Sequence, residues 1–164
     1  MKVAIISDSH IPSRAHAIPP WARRSIREAD HVIHAGDFDS TKALADVRDL
    51  ATRLTAVGGN MDPHGLGLSD VETVRLGGVT FVVTHGTGSR RDYEERVARV
   101  VRDQGVDDPF VGVAGHTHQL LDTTVDGVRL LNPGSVTGAA PAEEATMLTA
   151  EVGGGELAVT VRRE

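Results

Sequence analysis

Five stretches carry side chains able to hold a metal or move a proton, and each follows an apolar run. Residues 3–7 lead into Asp8-Ser9-His10, 32–35 into Gly36-Asp37, and 54–58 into Gly59-Asn60. Residues 79–84 lead into His85-Gly86, and 109–114 into Gly115-His116-Thr117-His118. Imidazole, carboxylate and a carboxamide oxygen, with no cysteine in the chain, suit borderline-hard divalent cations. Each stretch alone has an ordinary reading. Asp8 could cap a helix beside a surface histidine, and Gly-Asp and Gly-Asn are common turns. His85 could be a satisfied core histidine, and His116 and His118 an exposed pair. What points to one site is their joint occurrence at the ends of buried-looking runs. Asp8 and His10 share a face if the backbone stays extended, because residues two apart on a strand point the same way. If the five runs lie side by side in one sheet, their ends meet at its carboxyl edge, where open α/β sheets bind ligands.

Positioning such a site requires the elements between these stretches. The apolar runs 2–7, 31–35 and 53–57 read as buried strands. Pro19-Pro20 opens a helix to about residue 29, and Ser40 can cap a second over 42–51. That alternation predicts parallel strands. The texture then changes. Residues 70–76 and 79–84 flank Gly77-Gly78, and 120–125 and 128–131 flank Asp126-Gly127, both two-residue hairpin signals. Residues 91–103 read as an amphipathic helix with Tyr93, Val97, Val100 and Val101 as its apolar stripe. A last hairpin joins 145–152 to 157–163 through Gly153-Gly154-Gly155. Asn132-Pro133-Gly134-Ser135 reads as a turn and 139–143 as a loose surface loop. The whole reads as one mixed α/β domain over 1–164, with two stacked sheets flanked by helices.

Composition narrows the function. A chain of 164 residues can bury roughly two-thirds of its unfolded surface. No apolar run nears the ~20 residues of a membrane helix, and the start does not fit a signal peptide, so the cytoplasm is the expected location. A net charge of −6 without a basic cluster argues against coating nucleic acid. No Gly-x-Ser-x-Gly elbow is present for a serine hydrolase.

The ordered set Asp-x-His, Gly-Asp, Gly-Asn, His and Gly-His-x-His resembles the calcineurin-like metallophosphoesterase superfamily. With Asn132-Pro133-Gly134-Ser135 after the Asp-Gly hairpin, the chain is similar to the small prokaryotic phosphodiesterase branch from residue 2 to about 136. The resemblance implies a four-layer αββα sandwich with a dinuclear centre, most often manganese, iron or zinc and sometimes nickel. Carried over position by position, Asp8, His10 and His118 would hold one cation and Asn60, His85 and His116 the other, with Asp37 bridging. Asp37, Asn60 and His85 become the catalytic candidates, Asn60 also touching phosphate. Two such cations clamp the attacking and leaving oxygens of an in-line displacement and form a bridging hydroxide near neutral pH. The implied reaction is phosphodiester hydrolysis on a small-molecule or nucleotide substrate. The alternative is a catalytically silent interaction scaffold of the retromer-subunit type, against which the full ligand set speaks. Small relatives are often dimers, which leaves a homodimer open.

One position departs from the pattern. Phosphomonoesterase-like members place His after the Asn to protonate the leaving group; here Met61 follows, then Asp62. Methionine cannot donate a proton, which favours diesters; alternatively Met61 simply packs. His34 reads as a core histidine or one that orients Asp37 through a hydrogen bond, and His64 as loop surface. Arg14 and Arg90 fall in loops that should ring the metals and are the substrate-binding candidates, since Arg suits bidentate phosphate contact. With 15 Arg in the chain, chance placement is the alternative.

Overall fold

The computed structural model describes residues 1–164 as ten strands and three helices. Strands β1 (Lys2–Ile6), β2 (His31–His34) and β3 (Leu54–Ala56) pair in parallel, connected through helices α1 (Pro20–Arg27) and α2 (Thr41–Leu50). Pro20 fills the first turn of α1, where no backbone donor is needed. At the head of α2, Ser40 Oγ accepts from the Ala43 N–H at 3.0 Å. The hairpin β9 (Thr146–Gly153) and β10 (Glu156–Arg163) joins antiparallel to β1, completing the order β10-β9-β1-β2-β3.

The second sheet contains β4 (Val71–Leu76), β5 (Val79–Thr84), β6 (Phe110–Val113), β7 (Leu120–Val125) and β8 (Val128–Pro133), in the order β4-β5-β6-β8-β7. Strands β5, β6 and β8 are parallel, with β4 and β7 antiparallel at the edges. Helix α3 (Tyr93–Asp103) connects β5 to β6.

Side-chain alternation sets the layers. Val3 and Ile5 of β1 face the other sheet, packing with Phe81, Val83, Val111 and Val113. Ala4 and Ile6 turn the other way, toward Ile26 of α1 and Leu44 and Val47 of α2. In the second sheet Val82 and Leu130 turn outward against Val97, Ala98 and Val101 of α3. Three cores thus separate four layers, and the result is the αββα sandwich. Each fully buried Val or Ile contributes about 1.5–3 kcal/mol. That is why β1, buried on both faces from Val3 onward, admits no polar residue between Lys2 at its start and Ser7.

Several expectations change. The five apolar runs do not share one sheet: β1, β2 and β3 lie in one, β5 and β6 in the other. Asn132 and Pro133 complete β8 opposite Leu121 and Leu120, so the turn begins later than expected. Ala139, in the segment expected to be loose surface, is buried. Ala98 replaces Val100 in the buried stripe of α3, because it lies one residue beyond Val97 on the sheet side.

Candidate metal centre

Past the ends of β1, β2 and β6 the chain leaves extended geometry. Asp8 and His10 have φ of 53° and 46°, so strand alternation does not place them together as expected. Asp37, His116 and His118 also lie in the left-handed region, at 62°, 74° and 59°. Asp and His tolerate this region better than most residues, yet each instance costs on the order of 1–3 kcal/mol unless its surroundings impose it. Neighbouring glycines allow the crowding. A Cβ on Gly59 would collide with the Asp37 carboxylate, and one on Gly115 would lie 2.6 Å from Asp8 Oδ2.

The side chains from these loops converge. Asp8 Oδ1 lies 3.2 Å from His118 Nε2, 3.7 Å from His10 Nε2 and 3.9 Å from His85 Nε2, buried and without a hydrogen-bond donor. Asp37 Oδ2 lies 3.1 Å from His85 Nε2 and 3.5 Å from His10 Nε2. Asn60 Oδ1 lies 3.1 Å from His85 Nε2 and 3.2 Å from His116 Nδ1. His10 Nε2 and His118 Nε2 are 3.0 Å apart. All seven residues singled out in the sequence therefore meet, where the strand ends of the two sheets come together.

The other nitrogen of each imidazole meets an acceptor. His10 Nδ1 donates to the Asp39 carboxylate at 2.9 Å, His85 Nδ1 to Ala35 O at 2.6 Å, and His118 Nδ1 to Ala139 O at 2.8 Å. His116 Nε2 donates to Gly88 O at 2.9 Å. With the outer nitrogen protonated, the inner one presents a lone pair. Lone pairs from three oxygen and four nitrogen ligands then face one another, and such a set demands positive charge. A divalent cation with nitrogen and oxygen ligands fits it.

Without a cation, protons compensate in part. Burial lowers the affinity of His10 and His85 for protons. Asp8 and Asp39 beside His10, and Asp37 and Asp8 beside His85, more than reverse this, so both titrate above the ordinary value. Burial pushes the Asp8 carboxyl up, but His10, His118 and His85 hold it well below the usual carboxylate range. Asp37 is lowered in the same way, chiefly by His85.

Residues not singled out in the sequence hold the ligand loops. Asp39 fixes the His10 ring. Asp62 accepts from the backbone N–H groups of Asp37, Phe38, Asp39 and Gly59 at 2.7 to 3.1 Å, tying the turn after β2 to the turn after β3. Tyr93 Oη donates to Gly115 O at 2.6 Å, and Asn132 Nδ2 reaches Gly115 O at 2.9 Å and Thr117 Oγ1 at 3.0 Å. The Asp-x-Asp and Asn-x-Asp spacings could have flagged Asp39 and Asp62; nothing local links positions 93 and 132.

The remaining candidates are placed differently. His34 does not bond to Asp37. Its Nε2 donates to Ser9 Oγ at 2.6 Å, its Nδ1 accepts from the Gly36 N–H at 3.1 Å, and its ring stacks 3.6 Å from Phe38. Burial pushes its pKa down to about 3. His64 is exposed. Met61 is 45% exposed, so it does not pack; its N–H donates to Asp37 Oδ1 at 2.8 Å. Arg14 is exposed and donates to Ala140 O at 2.9 Å, bracing the loop behind His118. Arg90 borders a cleft of about 290 Å³ with Thr117 and Gln119, beside the loop carrying His116 and His118.

Residues 1–155 match the calcineurin-like phosphoesterase superfamily domain. The chain belongs to this superfamily. It is 34% identical over 143 residues to a probable metallophosphoesterase of Methanothermobacter thermautotrophicus, covering 84% of this chain and 78% of the relative. It is 28% identical over 153 residues to a phosphodiesterase of Methanocaldococcus jannaschii, covering 84% of this chain and 86% of that protein. The structure of wild-type Vps29 of Entamoeba histolytica complexed with Zn²⁺ superimposes with a TM-score of 0.79 at 28% identity, covering 100% of this chain and 98% of the other. No helix of the chain is long and apolar enough to cross a membrane.

Proposed function

We propose that the chain is a phosphodiesterase that works with two divalent cations. One observation carries the reading: with each imidazole's outer nitrogen donating to its acceptor, the inner nitrogens of four imidazoles and the oxygens of Asp8, Asp37 and Asn60 face a common centre, where Asp8 Oδ1 is buried without a donor. Asp8, His10 and His118 form one ligand set, and Asn60, His85 and His116 the other. Asp37 Oδ2, within 3.5 Å of His10 Nε2 and 3.1 Å of His85 Nε2, belongs to both. When bound, two cations supply a water of lowered pKa and clamp the attacking and leaving oxygens of an in-line displacement at phosphorus. Manganese is the first candidate, with iron, nickel and zinc as alternatives, because such sites accept several first-row ions.

The protein's own part is to place the phosphate. Asn60, exposed beside the cluster, keeps its Nδ2 to donate to a phosphate oxygen once Oδ1 is a ligand. Met61 sits exposed where a proton donor would stand in a monoesterase. Its lack of an acidic proton favours substrates with good leaving groups, or diesters whose departing alkoxide takes its proton from water. Arg90 is the arginine we place near the substrate, since Arg14 is held by Ala140.

Hydrolysis of a chromogenic diester and its matching monoester, side by side with Mn²⁺ and after chelation, tests this. The expected result is metal-dependent turnover with the diester well above the monoester. Monoester dominance would remove the role given to Met61. The likeness to Vps29 supports a second reading as an interaction scaffold, and absence of turnover across several metals would favour it.

A further inference from the structure

We propose that Arg96 is a positioning residue for the second cation set, acting through Gly88 and His116; this rests on the two-cation reading. Arg96 lies one turn into α3, with its side chain 25% exposed. Its Nη1 donates to Gly86 O at 3.2 Å and Thr87 O at 2.5 Å, and its Nη2 to Ser89 O at 2.8 Å. The segment thus wraps around the guanidinium, and a Cβ on Gly88 would lie 3.0 Å from its central carbon. Three successive donors in a rigid planar fork are a property of Arg that Lys lacks.

The clamp takes the carbonyls of Gly86, Thr87 and Ser89 and leaves that of Gly88. That carbonyl accepts from His116 Nε2 at 2.9 Å, which keeps the proton on Nε2 and turns Nδ1 toward Asn60 Oδ1 at 3.2 Å. His116 depends on this contact more than its neighbours do. It is half-buried, whereas His10, His85 and His118 are buried and held by packing. The anchors of His10 and His118, Asp39 and the Ala139 carbonyl, lie outside the clamp. Loss of Arg96 therefore weakens one cation site and spares the other.

The test compares wild type, Arg96→Met and Arg96→Lys. Binding of Mn²⁺ is followed by electron paramagnetic resonance, and the His116 tautomer of the metal-free chains by long-range ¹H–¹⁵N correlation. Wild type is expected to take up two Mn²⁺ with a spin-coupled signal and to show the Nε2–H tautomer. Arg96→Met is expected to keep one tight Mn²⁺, lose roughly tenfold to hundredfold affinity for the second, and show mixed tautomers at His116. Arg96→Lys falls between, and it carries the test if Arg96→Met does not fold. Two undiminished Mn²⁺ and an unchanged tautomer in the variants would overturn the proposal while leaving the two-cation reading intact. A single Mn²⁺ on wild type would overturn both.

Discussion

His10 Nε2 and His118 Nε2 face each other at 3.0 Å, although the Nδ1 of each ring already donates to an acceptor, Asp39 for His10 and Ala139 O for His118. Two imidazole lone pairs at that separation repel. Asp8 Oδ1, 3.2 Å from His118 Nε2 and without a donor of its own, adds a formal negative charge to the same point. A proton or a cation must resolve the contact.

A cation bound only by the native chain stabilises it by about 2.7 kcal/mol when present at a hundred times its dissociation constant. For a chain of this size each kcal/mol moves Tm by roughly 2–4 °C. Mn²⁺ should therefore raise Tm by roughly 5–10 °C, and EDTA should return it to the metal-free value. Scanning calorimetry in the two buffers checks this; coincident melting curves would argue against a metal site.

Acidity offers a second check. In the metal-free chain His10 and His85 titrate above their ordinary value because neighbouring carboxylates outweigh burial. A raised native pKa gives stability that is complete below the unfolded value of about 6.5 and is lost as pH rises through the native one. His34, pushed down to about 3 by burial, has the opposite sign and costs stability as pH falls below 6.5. Metal-free protein should thus be most stable near pH 6.5, with Mn²⁺ removing the decline on the alkaline side because the cation replaces the protons. Urea denaturation at about pH 5.5, 6.5 and 8 would reveal it. Metal-free stability that rises toward pH 8 contradicts the assignment.

Replacing Asp39 by Asn removes the carboxylate that fixes His10 without touching a proposed ligand. Loss of such an outer partner typically costs 10–100-fold in metal affinity or activity. Mn²⁺ titration of Asp39→Asn should show roughly that loss at the site shared with Asp8 and His118. Wild-type affinity at both sites would mean that Asp39 serves another purpose.

Asp62→Ala takes four backbone donors from their common acceptor and unties the turn after β2 from the turn after β3. Bonds to a charged acceptor contribute more than neutral ones, so a loss of about 3 kcal/mol in unfolding free energy is expected. A change within about 0.5 kcal/mol, the usual range for surface substitutions, would show that water satisfies these groups equally well.

Asp8, His10, Asp37, Asn60, His85, His116 and His118 were legible because each stands shortly past an apolar run, where a buried strand meets a loop. The helices were legible from Pro20, Ser40 and the spacing of Tyr93, Val97 and Val101. The partition of β1, β2 and β3 from β5 and β6 was not, since parallel strands covered on both faces read alike in either sheet. Nor was the left-handed backbone at Asp8 and His10, for which Asp and His are permitted but not distinctive. Asp62 and Arg96 escaped for a related reason. Their partners are backbone groups in other loops, and in sequence they look like one carboxylate in a polar turn and one more arginine on a helix.

Anomalous diffraction from crystals equilibrated with Mn²⁺ tests the central claim most directly. The expected map has two peaks roughly 3.5–4 Å apart, one against Asp8 Oδ1, His10 Nε2 and His118 Nε2, the other against Asn60 Oδ1, His85 Nε2 and His116 Nδ1. Asp37 should touch both. A single peak, or peaks away from these atoms, would contradict the two-cation centre.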